Sequence, residues 1–165
     1  MNYSRIIKYD ATNWEGINTT IFFSGCTFAC KGCFNSSIWD FNSGEEFTKD
    51  IMDEFIEHAK SPRISGICIL GGEPLQQDLD RLLIFIERLV FEVGKPIHLW
   101  SGYLYEDILL DEKKREIIEL VDTLVDGKFD INLKDLTLRY RGSSNQRVID
   151  VQKSLNKKEI ILIEE

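Results

Sequence analysis

Three of the four cysteines of this 165-residue chain lie close together, in the segment SGCTFACKGCFN at residues 24–35. Cys26, Cys30 and Cys33 have the spacing C-x3-C-x2-C. Cysteine thiolates bind zinc or iron–sulfur clusters, and a pair of thiols can carry out disulfide exchange. The odd number is unusual, because a disulfide takes two cysteines and a closed zinc site takes four ligands. We call residues 24–37 the cysteine loop.

The simplest sites do not use all three cysteines. A structural zinc ion needs four Cys or His ligands, but His58 and His98 fall inside a predicted helix and a predicted strand. Cys68, the fourth cysteine, lies within the apolar run ISGICIL and is predicted to be a core residue. A redox C-x2-C pair formed by the second and third cysteines would leave the first without a role.

An iron–sulfur cluster accounts better for a set of three. Most [4Fe–4S] clusters are held by four thiolates. With three thiolates, one iron keeps an open coordination position, as the metal of a catalytic site does. A substrate that carries both an amine and a carboxylate could chelate that iron. The cysteine loop therefore predicts a catalytic cluster.

The elements predicted to position this loop alternate between strands and helices. Apolar runs bounded by turn residues predict buried strands, and longer periodic stretches predict the helices between them. This order is typical of βαβ units and a parallel sheet. The predicted strands are residues 18–25, 64–70, 96–100 and 122–129, and the predicted helices are residues 48–60, 79–93 and 104–120.

Each predicted strand runs into a loop of glycine and polar residues. These loops are the cysteine loop, GGEP (71–74), SGY (101–103) and the end of VDGKF (125–129). The carboxyl ends of parallel strands gather at one edge of the sheet, where ligands usually bind. We therefore expect the four loops to face one site.

Composition and length predict one globular domain, residues 1–165. No apolar run reaches the length of a membrane span, and the amino terminus lacks the basic and apolar regions of a signal peptide. We therefore expect a cytoplasmic protein that does not enter a membrane. The formal net charge of −8 argues against nucleic-acid binding, which depends on the neutralisation of phosphates.

Basic residues are concentrated towards the carboxyl terminus. Residues 128–158 contain eight lysines and arginines against three aspartates, in a chain that is acidic overall. Such a segment can steer a specific partner. A solvated surface stretch explains the same pattern equally well.

Five sequence blocks, in order, resemble a known protein family. The cysteine motif followed by a GGEP-type loop is similar to the radical S-adenosylmethionine enzymes. The likeness extends to their glycyl-radical-enzyme activases, and within these to the branch that acts on the anaerobic ribonucleoside-triphosphate reductase. The blocks are FFSGCTFACKGCFNSSIW, LGGEPL, LWSGY, LVDGKF and RGSSNQR.

The resemblance implies an α/β fold, an open, partial (β/α) barrel with a mostly parallel sheet. A complete eightfold barrel typically takes ~250 residues, more than this chain has. The resemblance also implies a [4Fe–4S] cluster on Cys26, Cys30 and Cys33, with the amine and carboxylate of S-adenosylmethionine on the fourth iron. The residues implied to contact that cofactor are Gly32, Cys33, Phe34, Gly71, Gly72, Glu73, Ser101 and Asp126.

The resemblance further implies an activity and its partners. An electron from a low-potential donor such as flavodoxin would break the sulfur–carbon bond of S-adenosylmethionine, and the 5′-deoxyadenosyl radical would remove hydrogen from a glycine of the reductase. The site must then admit a segment of that protein, and residues 128–158 are the candidate docking surface. A homodimer is compatible with this pattern.

Two positions depart from the family pattern. Gly32 stands where the wider superfamily often has an aromatic residue that covers the adenine, so Phe34 or backbone groups must take that role. Asn18 stands where this branch has the arginine of G-P-G-x-R, and the chain reads NWEGIN (13–18) in place of that motif.

Three other functions remain open on the sequence. An activase of a different glycyl-radical enzyme would share every cluster residue, although many of those carry extra cysteines in an inserted cluster domain. A zinc-binding module would use the three cysteines and a distant ligand. A thiol–disulfide protein would use Cys30 and Cys33 and would tolerate Cys26→Ser.

Overall fold

The computed structural model describes residues 1–164, which form a seven-stranded sheet flanked by helices. The strands are β1 (Asn2–Asp10), β2 (Asn18–Phe23), β3 (Glu45–Glu46), β4 (Gly66–Gly71), β5 (Ile97–Trp100), β6 (Thr123–Asp126) and β7 (Arg147–Asp150). The helices are α1 (Lys49–Ala59), α2 (Leu79–Arg88), α3 (Tyr105–Leu110), α4 (Glu112–Ile118) and α5 (Val151–Lys157).

The sheet has the strand order β3-β1-β2-β4-β5-β6-β7. Its four central strands, β2, β4, β5 and β6, are mutually parallel. The outer strands β1, β3 and β7 pair in the antiparallel sense. The predicted α/β class is therefore confirmed. The sheet is not closed, because β3 and β7 lie at opposite ends of the strand order.

Helix boundaries follow from local capping. Thr48 accepts a hydrogen bond from the backbone N–H of Ile51 at the start of α1, and Asp78 does the same for Arg81 in α2. Such caps satisfy N–H groups that have no partner within the helix. The helix predicted to run to residue 93 is α-helical only to Arg88 and finishes as a single π-helical segment before Gly94. The left-handed backbone of Gly94 then ends it.

The two faces of the sheet are covered differently. One face packs against the helices in a large apolar core that includes Ile21, Ile69 and Leu99. Alternate residues point to the other face, where Phe22, Leu70 and Cys68 form a smaller cluster. Cys68 is fully buried, as predicted. Burial raises the pKa of its thiol to about 12, so the group behaves as an apolar one.

Strands β1, β3 and β7 and helix α5 were not predicted. Most of β1 is half-buried or exposed, and β7 has four residues, so neither gives a clear apolar run. They pair with neighbours whose own apolar pattern is strong. No helix within residues 1–164 is both long and apolar enough to cross a membrane.

Candidate cluster and cofactor site

The loops at the carboxyl ends of β2, β4, β5 and β6 line one cavity of about 610 Å³. The expected convergence of the four loops is therefore observed. Of the residues implied to bind the cluster or the cofactor, those that line the cavity are Cys26, Cys30, Cys33, Phe34, Gly71, Gly72, Glu73 and Ser101. Gly32 and Asp126 are not among the lining residues.

The three cysteines of the loop are partly exposed, and the structure contains them as free thiols. The backbone N–H of Cys26 donates to the carbonyl of Trp39, and that of Cys33 donates to the carbonyl of Cys30. Ala29 adopts a left-handed backbone between the first two cysteines. Burial raises the pKa of Cys26 and of Cys30, and negative charge on neighbouring thiolates acts in the same direction.

The donor set fits a cluster better than a single ion. Among residues 1–164, no three His, Cys, Asp or Glu side chains converge on one metal position. A mononuclear zinc site needs all its thiolates at ~2.3 Å from one ion. A [4Fe–4S] cluster instead takes one thiolate per iron, so its ligands stand further apart around a cavity. Cys26, Cys30 and Cys33 are free thiols that line the cavity, so they can serve as such ligands.

The cysteine loop is interlocked with the GGEP loop through backbone groups. The N–H of Gly72 donates to the carbonyl of Phe23, and the N–H of Glu73 donates to the carbonyl of Gly25, both at 2.8 Å. Gly71 has φ +122°, and a Cβ on Gly72 would overlap the carbonyl oxygen of Gly25. Only glycine allows this approach of two backbones. The pair of glycines is therefore required by packing alone.

Glu73 is a buried carboxylate at the centre of the site, 1% exposed. Its Oε1 accepts hydrogen bonds from the N–H of Leu75 at 3.0 Å and from the hydroxyl of Ser101 at 2.8 Å. Its Oε2 accepts one hydrogen bond, from the N–H of Gly102 at 2.6 Å. Burial raises the pKa of Glu73 to about 7, although these donors favour the ionised form. Since Oε2 has a single donor, it can accept a further one from the cavity.

Asn35 ties the cysteine loop to the GGEP loop, and sequence reasoning missed it. Its Nδ2 donates to the carbonyl of Gly71 at 3.0 Å, and its backbone N–H points at the sulfur of Cys33 at 3.4 Å. Gln77 makes a second tie, because its Nε2 donates to the carbonyl of Ser24 at 2.9 Å. The position of Asn35 two residues after the last cysteine was the available signal.

Three of the residues that the resemblance implies at the cofactor make other contacts in the fold. Gly32 has φ +76°, and a Cβ there would lie 2.7 Å from Ile131. Phe34 is 59% exposed at the cavity mouth, with its ring 5.1 Å from that of Phe129. Asp126 is fully buried and accepts hydrogen bonds from the side chain of Arg147 and from the backbone of α3. The cofactor roles of these residues stay predictions.

Asn18, at the position of the family arginine, does not line the cavity. Its Nδ2 donates to the carbonyls of Trp14, Glu15 and Gly16, with the shortest distance 3.1 Å. It therefore closes the loop between β1 and β2. Its Oδ1 is buried without a hydrogen-bond partner among residues 1–164.

The loop between β6 and β7, residues 127–146, crosses the cavity, and we call it the strap. The ring of Tyr140, in the strap, stacks on Trp14 with centroids 3.9 Å apart. Trp14 in turn stacks on His98 at 4.2 Å. The indole N–H of Trp100 donates to the carbonyl of Tyr140 at 2.7 Å. Aromatic side chains thus hold the strap against the concave face of the sheet.

The basic segment 128–158 is not a uniform solvated stretch. Arg147 pairs with the buried Asp126 and with the exposed Glu106. The ammonium groups of Lys128 and Lys134 lie over the rings of Phe28 and Phe34, at 4.7 and 5.3 Å from the centroids. Lys128 therefore lines the cavity, and Lys134 lies beside it, over the lining residue Phe34.

Comparison with known proteins agrees with this site. A family model described as a 4Fe-4S single cluster domain matches residues 12–149. The chain is 41% identical over 152 residues to the anaerobic ribonucleoside-triphosphate reductase-activating protein of Escherichia coli K12, covering 90% of this chain and 97% of that protein.

Relatives of the same name occur in other sources. The chain is 39% identical over 150 residues to the protein of Haemophilus influenzae, with 88% of this chain and 96% of that protein covered. It is 36% identical over 152 residues to the protein of Enterobacteria phage T4, with 90% and 93% covered. The chain therefore belongs to the family of anaerobic ribonucleoside-triphosphate reductase-activating proteins and contains a 4Fe-4S single cluster domain.

Proposed function

We propose that this chain is a radical S-adenosylmethionine activase of the anaerobic ribonucleoside-triphosphate reductase. The [4Fe–4S] cluster would be ligated by Cys26, Cys30 and Cys33, and S-adenosylmethionine would take the fourth iron. The observation that carries the proposal is the arrangement of three free thiols and the buried Glu73 around one cavity. The names of the relatives support the choice of reductase.

When bound, the cluster and S-adenosylmethionine would supply the radical chemistry: reductive cleavage of the cofactor's sulfur–carbon bond, coupled to removal of a hydrogen atom from a glycine of the reductase. The protein's residues bind and orient. Gly71 and Gly72 bring backbone groups up to the site. Oε2 of Glu73 offers a carboxylate oxygen that can accept from an N–H of the amine of the methionine moiety. Ser101 donates to Glu73 and fixes the orientation of that carboxylate.

The partner would enter through the side of the cavity that the sheet leaves open. A radical transfer of this kind needs the target glycine next to the cofactor, so the wall cannot be complete. The antiparallel outer strands and the unclosed strand order support an open, partial barrel. Exposed Lys128, Lys134 and Arg139 around the mouth support docking of the reductase by the basic segment.

The docking proposal has a direct test. Reversal of Lys134 and Arg139 to Glu should weaken binding to the reductase at low salt, whereas wild-type binding should fall as salt increases. Unchanged binding of the reversed variant would exclude the basic segment. Arg147 is unsuitable for this test, because it is the ion-pair partner of the buried Asp126.

The central test is the formation of 5′-deoxyadenosine. Protein reconstituted with iron and sulfide without oxygen should form it from S-adenosylmethionine after reduction with dithionite. Cys26→Ala, Cys30→Ala and Cys33→Ala should each abolish the product. Cys68→Ala is the matched control and should retain it, because Cys68 lies in the core.

The reductase separates the remaining possibilities. A glycyl radical seen by electron paramagnetic resonance on the reductase, and not on another glycyl-radical enzyme, supports the choice of partner. Protein with an intact cluster that gives no 5′-deoxyadenosine, alone or with the reductase, would exclude the proposal. Protein that takes up zinc and never holds iron would favour the zinc-binding alternative. Flavodoxin as donor, a homodimer and a cytoplasmic location stay predictions.

A further inference from the structure

Arg5 lies on β1 and is one of the residues that line the cavity. Its guanidinium stacks over the ring of Phe22, with the central carbon 4.1 Å from the ring centroid. Phe22 is itself buried in the small cluster on the concave face of the sheet. A guanidinium stacked in this way is held in one plane, so less freedom is lost when its N–H groups bind an acceptor.

The N–H donors of Arg5 have no acceptor in the described protein. Neither a hydrogen bond nor an ion pair joins its side chain to any of residues 1–164, and the contact with Phe22 is its one recorded interaction. The other arginine that lines the cavity, Arg141, donates to the carbonyl of Gln146. Arg5 is therefore an exposed cation, held by its stacking on Phe22, whose N–H groups are available to an acceptor that enters the cavity.

The position of Arg5 is at the open boundary of the sheet. β1 pairs along its length with β2, but on its outer side β3 covers only Asn2 and Tyr3. Arg5 lies just beyond that short pairing, opposite Phe22, close to the end of β2 that leads into the cysteine loop. A polypeptide segment that enters the cavity along β1 would therefore meet Arg5.

We propose that Arg5 binds carbonyl oxygens of the reductase segment that carries the target glycine; this rests on the proposed function. A polypeptide that enters the cavity loses water from its carbonyl groups, and each needs a donor in exchange. A guanidinium presents several donors in a fixed fork that matches such oxygens. Arg5 is thus a specificity-determining residue for the protein substrate and not for the cofactor, whose carboxylate is assigned to iron.

The test compares Arg5→Gln and Arg5→Lys with wild type in the reconstituted protein. Glycyl-radical formation is measured at increasing concentrations of intact reductase, and 5′-deoxyadenosine formation is measured separately without reductase. Arg5→Gln should raise the KM for the reductase about tenfold or more, the scale of a lost hydrogen bond to a charged group. The KM of Arg5→Lys for the reductase should lie between those of wild type and Arg5→Gln, because lysine keeps the positive charge but lacks the planar guanidinium with its several donors.

Lys8→Gln is the matched control. Lys8 lies on the same strand and carries the same charge, but it faces α1, where it pairs with Glu54 at 3.4 Å. The control should keep the wild-type KM for the reductase. Partner-free formation of 5′-deoxyadenosine, and its KM for S-adenosylmethionine, should be the same in all variants.

Each contrary result has a distinct meaning. An unchanged KM for the reductase in Arg5→Gln overturns the inference while the proposed function stands. A loss of partner-free 5′-deoxyadenosine in that variant also overturns it, since Arg5 would then serve the cofactor. If Lys8→Gln raises the KM for the reductase equally, the effect arises from net charge, and the inference is overturned as well. Failure of the wild type to form either product removes the proposed function on which the inference rests.

Discussion

Two regions border the cavity, and they are held in different ways. The cysteine loop and the GGEP loop are joined by close backbone contact as well as by the amides of Asn35 and Gln77, and two glycines allow their close approach. The strap is held by side chains: Tyr140 stacks on Trp14, and Arg147 at its base pairs with Asp126. Backbone contact demands particular small residues at fixed positions, so the first region is recognisable as a motif. Side-chain contact between distant residues leaves no such motif.

The difference predicts which substitutions destabilise each region. Closely packed backbones are destabilised when any side chain is inserted between them. A segment held by side chains loosens when one of those side chains is removed. The cysteine loop and the GGEP loop need not be destabilised at the same time. The following substitutions test this contrast, in order of decreasing expected effect.

Removal of the ion pair at the base of the strap should have the largest effect. Arg147→Met leaves the fully buried carboxylate of Asp126 without its cation, which should lower the free energy of unfolding by about 3–5 kcal/mol. Urea unfolding measures the change. Arg139→Met, in the exposed part of the strap, should change it by less than about 0.5 kcal/mol. Equal effects of the two would contradict the assignment of Arg147 as an internal anchor.

Insertion of a methyl group between the interlocked loops should come next. Gly72→Ala places a Cβ against the carbonyl of Gly25, and we expect a loss of about 2–3 kcal/mol and less iron bound per chain after reconstitution. Gly94→Ala is the control: its Cβ would have 3.8 Å of space, so the cost is limited to backbone strain at φ +69°. Iron content should be normal in the control. Normal iron content in Gly72→Ala would show that the interlock is dispensable.

Glu73 gives the interlocked region a pH dependence. Its pKa is about 7 in the fold and 4.5 in the unfolded chain, so the folded state binds more protons between these values. The contribution of Glu73 to stability should therefore fall as pH rises from about 4.5 to about 7. The free energy of unfolding of metal-free protein, measured with urea, should fall between pH 5 and pH 7.5. The fall should be larger for wild type than for Glu73→Gln. Parallel curves for the two proteins would contradict the raised pKa.

The aromatic stack between Trp14 and Tyr140 should make the smallest contribution to the free energy of unfolding. A double-mutant cycle of Trp14→Ala and Tyr140→Ala should yield a coupling of about 0.5–1.5 kcal/mol. Hydrogen exchange should become faster in the strap in both single variants and remain unchanged at Gly72 and Glu73. Faster exchange in both regions would mean that the two walls are one cooperative unit.

Much of the central sheet was predictable, because its strands are short apolar runs that each end in a glycine or polar turn. The observed β4 and β5 lie within one or two residues of the prediction. The outer strands were missed, since β1 has Arg5 and Lys8 among its residues and owes its strand conformation to pairing with β2. Pairing energy is a property of the neighbour and is not visible in the segment itself.

In the candidate site, too, some residues were predictable from the sequence and others were not. The cysteines and the GGE residues were predicted to face one site, and they do line one cavity. They were recognisable because clustered thiols and close backbone approach restrict residue type at each position. Asn35 and Gln77 were missed, because an amide that bridges two loops can occupy many places in a sequence. Asp126 was expected at the cofactor, but its carboxylate accepts from Arg147, which the strand pairing of β6 with β7 places beside it.

The sequence by itself determined the three thiols, the glycines beside them and the parallel order of the central strands. These features depend on local covalent geometry and on periodic burial, which act within a few residues. The tertiary structure alone decided that the sheet stays open, that the strap lies on Trp14, and that Arg5 lines the cavity with no hydrogen-bond acceptor among residues 1–164. Such features depend on which side chains meet across the fold, because pairing and stacking energies exist only once distant segments are in contact.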